Sequence, residues 1–172
     1  MSAPPLLPLV LFLAFLVLQR LAELRLSARH ERALRARGAV EHGRGHFPVF
    51  VVLHALFPLA LAGEVALLGA RPGPLWPLWL ALFAAAQALR YSAIRALGER
   101  WSVRVWALPA EPPLTRGPYR FLRHPNYLAV VVEFAAAPLM FGAWRTALAF
   151  SALNALALAL RIPVEERALG MR

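Results

Sequence analysis

Arg116-Gly117-Pro118-Tyr119-Arg120-Phe121-Leu122-Arg123-His124-Pro125-Asn126-Tyr127 stands between two long apolar regions, and its reading decides what kind of protein this is. A structural connector needs one or two turn residues. This one carries two prolines, a glycine, three arginines, a histidine, an asparagine and two tyrosines, a set of donors suited to holding a polar ligand. Pro125 lacks a backbone N–H and suits a first helical turn. The spacing therefore predicts a helix starting near Asn126, with its positive dipole end and free N–H groups aimed out of the apolar region. Together with His124 and the rings of Tyr119 and Tyr127, that helix start can grip a carboxylate and stack on a purine or a sulfonium. The plainer reading is an interfacial turn, because Arg and Tyr belong at the headgroup level of any membrane protein.

Outward from this segment the chain is apolar in blocks. Sixty per cent of its 172 residues are apolar, and the length suits one domain over residues 1–172. All 19 cationic side chains are Arg and all 9 acidic ones Glu, for a net charge of +10. Such a charge often points to nucleic acid. Here the Arg clusters alternate with apolar blocks, which fits a membrane instead, so no nucleic-acid partner is expected. The absence of Cys removes disulfides, thiolate nucleophiles and Cys-type zinc sites.

The first apolar block runs from about Pro4 to Leu18 and continues as a mixed helix to Leu26; with no basic leader or cleavage site, it reads as a retained helix. Residues 27–45 are polar and basic, and Glu31 with Arg35 at i,i+4 spacing suits a surface helix. Phe47 to Leu68 is about 22 residues, enough to span a core of roughly 30 Å. Arg71-Pro72-Gly73-Pro74 is a turn, and a third block covers Leu75 to about Ile94. After the polar connector 95–126, the apolar stretch Tyr127 to Leu160 breaks at Gly142-Ala143-Trp144-Arg145, as a helical hairpin would. Its arms, about 16 residues each, are short for a full span. The expected fold class is all-α, an integral membrane bundle of about five transmembrane helices whose last two form a hairpin. Nearly all Arg lie in 27–45, the connector and the C-terminus, so the positive-inside rule puts the connector and the C-terminus in the cytoplasm and the N-terminus outside.

A second polar constellation follows the last block: Arg161-Ile162-Pro163-Val164-Glu165-Glu166, where Pro163 is expected to end or kink the helix. Gly117-Pro118-Tyr119 followed by Arg123-His124-Pro125-x-Tyr127 resembles the signature of the isoprenylcysteine carboxyl methyltransferase superfamily. The resemblance is strongest over 97–169, and Gly43-Arg44-Gly45-His46-Phe47-Pro48 with the run Trp101 to Pro109 is similar to a short bacterial branch, some members of which resemble alkylpyrone O-methyltransferases acting on long-chain polyketide products. It implies a multi-pass enzyme of the bacterial inner (cytoplasmic) membrane, a cytoplasmic site for S-adenosyl-L-methionine, and a lipidic small-molecule substrate that enters from among the membrane lipids. It further implies that Pro113, Leu114, Tyr119, His124, Pro125, Asn126, Tyr127 and Glu165 bind the cofactor and that Arg161 is the catalytic residue facing the substrate. Arg104 departs from the pattern, standing where some members have a cofactor-contacting Gln, and that role is not carried over to it.

Other features weigh less. His42, His46 and His54 lack a His-Glu-x-x-His pattern, and no metal is expected. Glu64, Arg90 and Glu133 fall in or near apolar blocks, where a charge costs about 2.5–3.5 kcal/mol, so each is expected to face the interior with a partner. Glu133 could also line a substrate cavity. No Gly-x-Gly-x-x-Gly follows a strand pattern, which excludes a soluble Rossmann methyltransferase. The function expected is O-methyl transfer to a carboxylate or an enolic or phenolic oxygen on a lipidic acceptor. A phospholipid amine N-methyltransferase, an NADPH-dependent sterol-type reductase and a non-catalytic membrane scaffold are the alternatives.

Overall fold

The computed structural model describes residues 6–109 and 111–171. Five helices dominate: α1 (Leu6–Ala36), α2 (Phe47–Leu67), α3 (Trp76–Leu97), α4 (Pro125–Met140) and α5 (Trp144–Ala168). Two short strands, β1 (Val40–His42) and β2 (Val105–Ala107), pair antiparallel with Glu41 opposite Trp106. The stretches containing α1, α2 and α5 are long and apolar enough to cross a membrane. At 16 residues, α4 is a shorter apolar helix, and α3, with 22 residues, carries Gln87 and Arg90 on its buried side. The expected start of the first apolar block at Pro4 lies outside the described residues, as do the N-terminal five residues and Arg172.

Residues 27–36 belong to α1 and do not form a separate surface helix. No Gly or Pro interrupts the chain between Pro8 and Gly38, so one helix continues until Gly38 takes φ 81° and the Ala39 N–H returns to the Leu34 carbonyl at 3.0 Å. At 1.5 Å per residue α1 is roughly 46 Å long, so its polar last turns project beyond a core of about 30 Å. Nor does Pro163 end the last helix: α5 runs 25 residues, through Pro163 to Ala168. A proline removes a single helix donor, and here the turns on either side hold. The last helix is thus long enough to span, unlike the 16-residue arm expected from its apolar part alone.

The polar connectors gather at one end of the bundle, where β1 and β2 knit residues 37–46 to the stretch after α3. The tight turns gather at the other. There Gly142, at φ 71° between α4 and α5, packs so closely on the α2–α3 turn that a Cβ would fall 1.9 Å from the Arg71 carbonyl oxygen. Glu64, only 4% exposed, accepts hydrogen bonds at the start of α5 from the N–H groups of Arg145 (3.1 Å) and Thr146 (2.6 Å) and from the Thr146 hydroxyl (2.7 Å). Between the ends, Phe57 meets Phe134 edge-on at 4.6 Å and Phe12 meets Phe83 at 5.1 Å, so aromatic contacts join helices across the core.

Candidate active site

Val103, after α3, and the start of α4 both meet the last turns of α5 beneath the connector. Arg161 on α5 donates through Nε to the Tyr127 hydroxyl (2.7 Å) and through Nη2 to the Val103 carbonyl (2.7 Å). The Tyr127 hydroxyl in turn donates to Glu165. The Arg161 guanidinium also lies over the Phe50 ring of α2 at 4.9 Å. Nη1 of Arg161 has no protein acceptor among the described residues, so a planar cation is held on two sides and keeps donors for a third party.

His124 stands directly before α4 and stacks on Tyr127, ring to ring, at 5.3 Å. Its Nδ1 lies 3.7 Å from Glu165 and its Nε2 3.2 Å from Glu166. The Glu165 carboxylate raises the His124 pKa above the ordinary imidazole value; partial burial opposes this and Glu166 adds to it. Burial, seconded by Glu165, pushes the Tyr119 phenol well up, so it stays a neutral donor at physiological pH. At the rim, Glu41 on β1 is held below the usual carboxylate range: burial pushes it up, but Arg104 and Arg44, each at 2.7 Å, outweigh that.

A cavity of about 460 Å³ opens beside these groups, and Leu114, Tyr119, Asn126, Tyr127, Arg161 and Glu165 line it. Three other residues singled out in the sequence stand behind its wall. His124 faces the Glu165–Glu166 pair, Pro125 is packed into the bundle, and Pro113 lies half-buried in the connector. The helix start also differs from the expected fan of free amides. The Tyr127 N–H turns back onto the His124 carbonyl at 3.1 Å, and Pro125 has none, which leaves the Asn126 N–H as the open first-turn donor.

The residues present fit S-adenosylmethionine. Its ammonium, sulfonium and adenine amine call for acceptors and aromatic faces, and the cavity offers both. The buried Oδ1 of Asn126 has no hydrogen-bond partner among the described residues, Glu165 offers carboxylate oxygens, and Tyr119 and Tyr127 present rings. The sequence reading missed Phe50, the Val103 carbonyl, and Glu166 as the second partner of His124. Glu166 was visible beside Glu165. Nothing in the local pattern marks Phe50 or Val103, which reach Arg161 only through the fold.

The sequence model of the isoprenylcysteine carboxyl methyltransferase (ICMT) family matches residues 79–171, which hold every site residue named above except Phe50, Glu41 and Arg44. The chain is 35% identical over 159 residues to YpbQ, an uncharacterised protein of Bacillus subtilis strain 168, covering 92% of this chain and 95% of that one. It is also 31% identical over 152 residues to an uncharacterised protein of Haemophilus influenzae, covering 88% of each. No solved structure matches.

Proposed function

Because the chain belongs to the isoprenylcysteine carboxyl methyltransferase family of membrane methyltransferases, we propose that it methylates an acidic oxygen of a lipidic acceptor with S-adenosylmethionine. When bound, that cofactor supplies an electrophilic methyl group on a sulfonium. Asn126, Tyr119, Tyr127 and Glu165 would hold it, with His124 keeping Glu165 in place.

The observation that carries the reading is Arg161. Buried to 5% exposure yet lining the cavity, it is clamped by Tyr127 and Val103 with Nη1 unspent. A cation so placed orients a carboxylate or enolate oxygen toward the cofactor side of the cavity. An oxygen that is already ionised has no proton to lose, so no general base is required. Rate then comes from positioning and from keeping water off the nucleophile. An amine acceptor would favour an anionic lining. Glu23 and Glu133 do line the cavity, but Arg20 and Arg90 neutralise them.

The acceptor would reach the cavity sideways from the bilayer. Val17, Leu21 and Leu24 of α1 and Val51 of α2 line the cavity and are also exposed on the apolar surface, which supports an opening between α1 and α2. A tail that stays in lipid keeps about 0.8 kcal/mol per buried CH₂. The cofactor, being cytosolic, would come from the connector side.

The test is transfer of tritium from methyl-labelled S-adenosylmethionine to a bacterial lipid extract by the purified protein in detergent. The label should enter lipid as a base-labile methyl ester or an acid-labile enol ether. Arg161→Ala should lower transfer roughly a hundredfold or more by misplacing the nucleophile, with cofactor affinity nearly unchanged. Arg161→Lys should restore part of the rate, because a point charge replaces a planar fork. Base-stable label on a lipid amine, or full activity in Arg161→Lys, would overturn the reading.

A further inference from the structure

A second polar locus lines the same cavity deeper in the bundle, and methyl transfer as derived above leaves it unused. Arg20 and Glu23 of α1, Arg90 of α3 and Glu133 of α4 all face the cavity. Glu23, Arg90 and Glu133 are 4%, 1% and 6% exposed. Arg90 donates through Nη1 to both Glu23 oxygens at 3.3 Å and through Nη2 to Glu133. Gln87 donates to Glu133 at 2.6 Å and accepts from Gln19 at 2.6 Å. Two cations and two anions leave the locus without net charge.

Tying three helices together does not require four ions, since apolar packing of similar volume does so at least as well. What the network leaves over points to a ligand. Arg20 gives a single N–H to Glu23, at 2.7 Å, and its side chain keeps 28% exposure beside the cavity. The buried Nε of Arg90 has no hydrogen-bond partner among the described residues. Guanidinium groups donate and never accept, so these spare N–H groups call for an oxygen. Neutrality of the locus favours an uncharged one. Glu133 follows Tyr127 by six residues on α4, roughly 9 Å along the helix axis.

We propose that this locus is a second recognition point for the methyl acceptor, which then carries an uncharged oxygen, a carbonyl above all, on the part of its chain that lies beside Glu133, about 9 Å along α4 from Tyr127. The inference rests on Arg161 holding the acceptor's anionic oxygen. It narrows the acceptor class to lipids with two oxygens at a set separation, the inner one held below the headgroup level.

The probes are hexadecanoic acid and 8-oxohexadecanoic acid, whose carbonyl sits at that separation, titrated calorimetrically into the full-length protein in detergent. The oxo acid should bind the wild type about tenfold tighter than the plain acid. Arg20→Leu should erase that advantage and leave the plain acid's affinity unchanged; Arg20→Gln, which keeps part of the donor set, should retain some of it. Arg161→Ala should weaken both acids in parallel. Equal affinity of the two acids for the wild type, with both weakened by Arg161→Ala, overturns the second locus and leaves the Arg161 reading standing. A persistent oxo advantage with no effect of Arg161→Ala overturns the Arg161 reading, and absence of binding by either acid overturns both. The wild-type comparison decides the matter even where a variant fails to fold.

Discussion

His124 shows how one side chain can serve a site without touching the cavity. It lies between Glu165 and Glu166 and stacks on Tyr127, so its positive charge offsets two carboxylates that would otherwise repel. Its pKa in the folded protein is raised, mainly by Glu165. The stability it contributes is therefore fully present below the ordinary imidazole value of about 6.5 and is lost as pH rises through the raised folded value. Thermal denaturation of the wild type in detergent should show a melting temperature that falls from about pH 6.5 upward. His124→Gln should flatten that slope, and an unchanged slope in the variant would refute the pairing. At this scale the candidate residues were legible, because Tyr127, Arg161 and Glu165 sit in short polar motifs among apolar residues. Their mutual contacts were not legible: the Tyr127 hydroxyl meets residues 34 and 38 positions away, and no local pattern encodes that distance.

Among the elements, α5 depends on a residue from α2. Its first amides end on the buried Glu64 carboxylate, a cap contributed from across the bundle and favoured by the helix dipole. Glu64→Ala should lower stability by about 1–3 kcal/mol, because buried N–H groups lose their acceptor. Glu64→Gln should recover part of this, and methyl transfer at a permissive temperature should be unaffected, since Glu64 is absent from the cavity lining. An unchanged melting temperature in Glu64→Ala would rule out the cap. The sequence placed Glu64 in an apolar block and so predicted an interior partner, but it could not say that the partner would be a helix terminus. Pro163 misled the reading of α5 for a related reason. Proline lowers helix propensity locally, yet the helix continues where tertiary contacts hold both flanks, Arg161 before Pro163 and Glu165 and Glu166 after it.

For the whole molecule, the connectors with β1 and β2 lie at one end, and the turns holding Arg71 and Arg145 at the other. The Arg bias predicts that the first end faces the cytoplasm. A reporter fused to the C-terminus should therefore score as cytoplasmic, and one in the 68–75 turn as external; the reverse would deny the cavity direct access to a cytosolic cofactor. Sequence by itself determined the helical membrane class, the breaks between apolar blocks and the family signature, because each depends on composition and on spacing within a few residues. Hydrophobic length and turn chemistry act locally, so they can be read locally. Only the tertiary structure decided that α1 runs unbroken to Ala36 and that two polar loops pair as strands. It also brought Phe50 under Arg161 and gathered Arg20, Glu23, Arg90 and Glu133 into one neutral cluster. In the sequence Arg90 and Glu133 alone look like interior residues in need of partners. Which partner each finds depends on how the helices are rotated and packed, and that follows from the sum of many weak contacts across the bundle.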